Sequence, residues 1–505
     1  MTRRNLSGLL VLIALVSGFG LHGPAAAASP CQRSLDYLAD RYAAEPQTRA
    51  AFQAAYDGLQ PLPPGYSYGG AGANPWAAAG DGEGLAKAVG SFYAQVCTTL
   101  PQIVGDSDNA LDSIQYFAWL YYHNKAGQRL VQGIDPVNPA RKLPSVASFL
   151  QMFLEDYKAF MDSPASTGQV AEWVADPRIE IEDYRRTRAA EYESWNAFFA
   201  RNLKGDPATG YPSRPVTMPD RDYVVVAPTD CIMNPLVQVV VKDAQPVERR
   251  LLENPLQRDT VLDVKGIPLS VDELLGDAPD DLKAKFAGAT GLACVLMPNT
   301  YHHFHSPVDG TIRYAEIVEA GSPGAAGVFG YIDWPNWVPL DGNVGRPGTD
   351  FSQFQGFTRG VIVVEVQYAN LPGRDPAMLK GHVASIPVGL DTVGSVVFHG
   401  GVKAGARVKK GVTPFGNFFF GGSLDIMLFS PIEGADGAEM LSPAVQVRMG
   451  NQIGILNTPQ PAPKTPWLLP PCARHPLSYQ IPCHTDQAPE SRTSLPPRCC
   501  AHPCP

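Results

Sequence analysis

The sequence predicts an α+β protein, an N-terminal α-helical domain followed by a predominantly antiparallel β-sandwich or barrel-like domain. Three observations point there. Apolar residues recur at helical spacing from about residue 32 to about 200. After that the period falls to two, in short runs punctuated by Gly, Pro and Asp. The 48 glycines and 48 prolines supply the turns that a β-rich region needs. At 505 residues and 45% hydrophobic composition, the chain exceeds what one core usually organises.

Taken in order, residues 1–28 join Arg3 and Arg4 to an apolar run from Leu9 to about Leu21 and a small-residue site at Ala26–Ala28. This pattern predicts a cleaved export signal, too short and glycine-interrupted for a membrane span. Its paired arginines do not choose between export routes. No later window approaches spanning length, so a soluble exported protein is expected. The segment holds two arginines and no acid, so its removal takes the formal charge from −9 to −11. Such an excess argues against nucleic acid, whose phosphates demand basic patches. It gives no electrostatic help towards anionic lipid either, which leaves peripheral membrane contact open.

Residues 29–189 read as helical, in stretches such as "SLDYLADRYAAEPQTRAAFQAAYDGL" and "SVASFLQMFLEDYKAFM". A Gly/Pro-rich loop around residues 60–84 interrupts them. His123 stands alone here and reads as a helix histidine without chemistry. From 190 to 455, "DYVVVAP", "ACVLMP", "GTIRYAEIVEA", "GVIVVEVQYA", "GHVASIPVG" and "LDIMLF" read as strands, with no helical crossovers between them. Residues 456–505 are Pro-dense, without apolar periodicity, and read as an irregular tail.

Of nine cysteines, Cys31 and Cys97 lie where they can pair within the helical domain, which suits an oxidising compartment. Cys472, Cys483, Cys499, Cys500 and Cys504 crowd the tail at spacings that match no standard zinc pattern.

Three places in the β region carry candidate chemistry. Asp230 ends the apolar strand of "VVVAPTD", where a buried carboxylate needs a partner. "YHHFHSPVDGTI" packs three of the ten histidines into four positions. Strand alternation puts His303 and His305 on one face and His302 on the other. Taken alone, that cluster fits a polar strand edge as well as a site. "GGVKAGARVKKGVTPFGNFFFGGS" leads to Gly422 and Ser423, where the glycine permits a tight turn and the serine by itself is ordinary turn chemistry.

Together and in this order, "WNAFFARNLKG", "VVVAPTD", "YHHFHSPVDGTI", "IPVGLDTVGSV" and "VKKGVTPFGNFFFGGSLDIMLF" resemble the landmarks of the phosphatidylserine decarboxylase family over about residues 190–455. The helical region looks like the extra domain of some members, including relatives that decarboxylate free amino acids. The resemblance implies a precursor that cuts itself between Gly422 and Ser423. Two chains result, and Ser423 becomes a pyruvoyl cofactor. A serine hydroxyl needs a base, and a base benefits from an orienting carboxylate. By matching position those roles fall to His305 and Asp230. The pyruvoyl carbonyl then takes up the substrate amine and serves as the electron sink for loss of CO2. His302 matches the family's other histidine, implied to transfer a proton or position the carboxylate. His303 matches no family role.

The chain departs from the family pattern in three places. Cys231 follows Asp230 where glycine is usual, and Leu424 follows Ser423 where a small hydroxyl residue is common. The segment from 321 to 354 is unlike the usual stretch. Its Phe329, Tyr331, Trp334 and Trp337 suit a membrane interface, an aromatic pocket or a packed loop. The expected substrate is phosphatidylserine, with a free L-amino acid as rival. A zinc peptidase using His303 and His305 is a further alternative, although it lacks a declared third ligand. "VDGTI" and "VKKG" also suit a swinging-arm carrier module, but no lysine occupies the "GGSLD" turn.

Overall fold

The computed structural model describes residues 29–59, 83–98, 100, 120, 124–131, 133–242, 245–252, 255–264, 267–297, 299–318, 331–333, 350–352, 359–368, 380–389, 396–419, 423–432, 437–440 and 445–457. The export signal, His123, Gly422, Phe329, Trp334, Trp337 and the tail with its cysteines lie outside these residues. Tyr331 is described through its backbone only.

The N-terminal part is helical, as the periodicity predicts. Gln32–Ala44, Pro46–Asp57, Glu83–Thr98, Lys125–Val131 and Pro144–Met161 pack around one core. Pro46 and Pro144 open their helices at the position where a missing N–H costs nothing and a fixed φ helps. Along Pro144–Met161 the residues Val146, Phe149, Leu150, Phe153, Tyr157 and Phe160 are buried, one stripe at helical spacing. Tyr93 meets Phe149 and Phe153 edge-on at 4.8 and 5.1 Å between ring centres. Cys31 and Cys97 form the anticipated disulfide, tying the first helix to the third. Asp156, nearly buried, accepts from the Ser34 N–H at 3.0 Å and from Arg33 Nε at 2.8 Å, which docks the first helix on the fifth.

The β part is built on one eight-stranded sheet in the order Arg407–Val408, Gly310–Val318, Arg359–Gln367, Lys380–Gly389, Ser423–Phe429, Thr290–Leu296, Cys231–Pro235, Val445–Val447. Every pairing in it is antiparallel, as the lack of crossovers predicts. The two edge strands do not meet, so among the described residues the sheet is open. The expected sandwich is present and the barrel is not.

Both faces of the central strands Arg359–Gln367, Lys380–Gly389 and Ser423–Phe429 are covered, which is why they read as near-continuous apolar runs. Along Ser423–Phe429 alternate residues serve different cores. Met427 and Phe429 join one cluster with Phe304, Phe415 and Phe418, whereas Leu424, Ile426 and Leu428 join another with Leu262, Val271 and Phe286. Ser423 and Asp425 belong by parity to the first face. That face is roofed by the small sheet Val396–Phe398, Pro414–Phe418 and His303–His305. Thus the fold lays the histidine segment over the strand that begins at Ser423.

Candidate active site

Ser423 is the first residue of its strand, 4% exposed, paired with Gly389 on one side and Leu296 on the other. It therefore sits in the middle of the large sheet, at the N-terminal end of its strand. His302 Nδ1 lies 3.3 Å from Ser423 Oγ, and His302 Nε2 lies 2.9 Å from the Met297 carbonyl. A carbonyl can only accept, so a neutral His302 carries its proton on Nε2 and presents Nδ1 as the acceptor for the serine hydroxyl. Phe199 stacks on the imidazole at 3.8 Å between ring centres and fixes its plane.

The short helix Trp195–Phe199 delivers that phenyl ring. Ser194 caps it by accepting from the Ala197 N–H at 3.1 Å, and Trp195 and Phe198 are buried in the helical core. The motif "WNAFF" thus anchors the histidine to the N-terminal part of the protein.

The structure does not bring His305 or Asp230 into hydrogen-bond contact with Ser423. His305 Nε2 is 3.0 Å from the Tyr301 hydroxyl, and the Tyr211 ring meets its imidazole edge-on at 5.1 Å. Burial, and then the neighbouring His303, lowers its pKa from 6.5 to about 3, so it is neutral. The Asp230 carboxylate accepts from Arg214 Nε at 2.9 and 3.0 Å, from Arg214 Nη2 at 2.8 Å and from the Met449 N–H at 2.8 Å. Gly450, at φ +85°, makes the turn that offers this N–H. A direct Asp230–His305–Ser423 relay is therefore not formed. Instead Arg214 holds the carboxylate and Tyr301 holds the imidazole.

His303 shares a face of its strand with His305, and the Tyr301 ring lies 5.0 Å from the first and 5.8 Å from the second. His303 Nε2 lies 2.9 Å from the Ala200 carbonyl, and burial lowers its pKa to about 4. His303 and His305 thus hold different protein partners. Among the described residues no three His, Cys, Asp or Glu side chains are arranged to hold a metal ion.

Beneath Ser423 on the same face lies Asp425, fully buried, with Ser385 Oγ 3.1 Å from each carboxylate oxygen. Burial raises its pKa from 3.8 to about 7, against the hydrogen bonds from Ser385 and the Ile386 backbone. Across the ladder it faces Cys294. Cys294 neighbours Cys231, whose pKa is pushed up by burial and by that contact. Both thiols are free and buried, so Cys231 fills apolar volume behind Asp230.

Asp425, Arg214, Tyr301 and Phe199 were not singled out from the sequence. Asp425 had a signal, a carboxylate interrupting the apolar run "SLDIMLF". Arg214 had none, because its partners Asp183 and Asp230 are set by the fold.

The sequence profile of the phosphatidylserine decarboxylase family matches residues 195–455, just over half of the chain. Among curated relatives, the chain is 26% identical over 294 residues to the phosphatidylserine decarboxylase proenzyme of Fusobacterium nucleatum, covering 58% of this chain and 78% of the relative. It is 28% identical over 244 residues to decarboxylase iboD of Amanita muscaria, covering 48% and 59%. It is 24% identical over 269 residues to phosphatidylserine decarboxylase proenzyme 2 of Komagataella phaffii, covering 53% of this chain and 21% of that longer protein. The matched residues span the whole of the β part and both sides of the His302–Ser423 contact, and the chain belongs to the phosphatidylserine decarboxylase family.

Proposed function

We propose that this protein is a self-processing decarboxylase, cut between Gly422 and Ser423, that releases CO2 from an amine-bearing carboxylate. Phosphatidylserine is the first substrate to test, because relatives bear that name. A free L-amino acid is the second, because another relative is named only as a decarboxylase. The observation that carries the reading is the buried contact of His302 Nδ1 with Ser423 Oγ, 3.3 Å long.

The site fits a cofactor made from Ser423. The residue is buried, begins a strand held on both sides, and has an acceptor on its hydroxyl. Its oxygen attacks the Gly422 carbonyl and the peptide nitrogen leaves, which gives an ester. Elimination frees the Gly422 carboxylate, and hydrolysis of the resulting dehydroalanine releases ammonia. A pyruvoyl group left at this position supplies the electron sink for decarboxylation.

His302 is the acid–base group at that centre, first against the hydroxyl and later against the carbon that gains a proton. Phe199 holds its plane and the Met297 carbonyl its tautomer. Asp230 with Arg214, and His305 with Tyr301, brace the roof strand from the far side. Export agrees with the Cys31–Cys97 disulfide, which persists in oxidising compartments.

Denaturing mass spectrometry tests the reading. Wild type should give two chains, the shorter spanning 423–505 and beginning with a carbonyl-bearing residue, while Ser423→Ala stays whole and inactive. A wild-type chain that remains intact would overturn self-processing. Release of CO2 from dispersed phosphatidylserine against free tryptophan, tyrosine and serine decides the substrate.

A further inference from the structure

Asp425 is a buried acid that the reaction at Ser423 leaves unassigned. It is fully buried, its side-chain partner is the Ser385 hydroxyl, and among the described residues no basic side chain pairs with it. Asp230 differs in this respect, because Arg214 stands 2.8 Å from its carboxylate. A carboxyl buried without a cation is held as the neutral acid. Burial accordingly raises the pKa of Asp425 to about 7.

Ser423 and Asp425 stand two residues apart on a strand that is paired along its whole length on both sides. Side chains at that spacing share one face and lie about 7 Å apart. At both positions the face is the roofed one. Ser423 Oγ meets His302, which leads into the roof strand His303–His305. Asp425 meets Ser385, whose ladder partner Met427 packs with the roof residues Phe304, Phe415 and Phe418. The titratable groups about Asp425 are Cys294 across the ladder, Cys231 on the next strand and His302 at Ser423. Both cysteines are free thiols, and burial keeps Cys231 protonated. Beyond Cys231 the Asp230 charge is met by Arg214.

Attack of Ser423 Oγ on the Gly422 carbonyl passes the hydroxyl proton to His302 Nδ1 and builds negative charge on the carbonyl oxygen. A neutral acid on the same face leaves that charge unopposed, whereas a carboxylate repels it. At an effective dielectric of about 20, two unit charges about 7 Å apart change a rate by about fiftyfold. The imidazolium that forms at the same moment offsets part of this, which leaves a fall of about fivefold to fiftyfold.

We propose that Asp425 is a positioning residue that governs cleavage at Ser423 through its charge, permitting the attack as a neutral carboxyl and opposing it as a carboxylate. The inference rests on the self-processing reading and adds to it the group that sets its alkaline limit.

The test uses full-length precursor made by brief cell-free synthesis and moved into buffers between about pH 5 and about pH 9, with conversion to the 423–505 chain followed by denaturing mass spectrometry. Wild-type cleavage should slow by about fivefold to fiftyfold as pH rises through the Asp425 transition, and Asp425→Asn should keep its rate there. Ser385→Ala removes a hydrogen bond that favours the carboxylate, so its fall should move up by about one pH unit. A residue that serves packing alone would not move that midpoint. His302, Cys231 and Cys294 are common to all three chains. A wild-type rate without an alkaline fall, the same fall in Asp425→Asn, or an unmoved midpoint in Ser385→Ala overturns the proposal and leaves self-processing standing. Should Asp425→Asn fail to fold, the Ser385→Ala midpoint decides. A wild-type chain left whole at every pH overturns self-processing and this inference together.

Discussion

Asp425→Asn isolates the energetics of the buried carboxyl beneath Ser423. The folded protein holds that proton up to about pH 7, whereas the unfolded chain releases it near 3.8. Between those values the folded state binds more protons, so its stability falls as pH rises. The difference from 3.8 to about 7 corresponds to about 4 kcal/mol, at 1.36 kcal/mol per pH unit. That contribution is fully present below pH 3.8 and gone above about 7. Asparagine keeps an acceptor for Ser385 and does not titrate. In the Ser423→Ala background, where the chain stays whole, the two proteins should unfold at similar urea concentrations near about pH 4. Near about pH 8 the asparagine variant should be the more stable by up to about 4 kcal/mol. His303 and His305 titrate with the opposite sign, but they are common to both proteins and cancel in the difference. An infrared band of a protonated carboxyl should also persist to about pH 6 and be missing from the variant. A difference in urea midpoint that stays constant with pH would refute this account of Asp425.

His302→Ala should lower CO2 release by about 10²–10⁴-fold with little change in melting temperature, and full activity would refute its placement as the acid–base group. Mass spectrometry of His302→Ala and His305→Ala side by side shows which imidazole serves chain cleavage; cleavage lost only in His305→Ala would return that step to His305. Arg214→Met leaves the Asp230 carboxylate buried and should cost about 3–5 kcal/mol, of which Arg214→Met with Asp230→Leu recovers a large part; a single variant as stable as wild type would contradict the pairing. Replacing Cys31 and Cys97 by serine opens a loop of 66 residues, worth about 4 kcal/mol by chain entropy, and should lower the unfolding midpoint of the helical part.

Much of the fold was legible because hydrophobic period is a local property. The stripe along Pro144–Met161 and the run "GVIVVEV" state their own secondary structure, and the absence of crossovers states that the sheet is antiparallel. The site residues were legible as types in order, since "YHHFHSP" and "GGSLD" carry chemistry that turns and strands do not need. Their mutual contacts were not. Which imidazole reaches Ser423 depends on how the roof sheet lies over the large one, and that is fixed by Phe304, Phe415 and Phe418 packing against Met427 and Phe429. Whether Asp230 meets a histidine or Arg214 depends on a segment folding back from 16 residues away.

By itself, then, the sequence determined the order of elements, the alternation that gives each strand two faces, and the set of groups able to do acid–base and carbonyl chemistry. Only the tertiary structure decided that His302 holds the hydroxyl, that Asp230 is held by Arg214, and that Asp425 lies buried on the same face as Ser423. The reason is physical: periodicity follows from bonds along the chain. Hydrogen-bond partners and desolvation arise when separate segments are pressed together, 16 residues apart for Arg214 and Asp230 and 121 for His302 and Ser423.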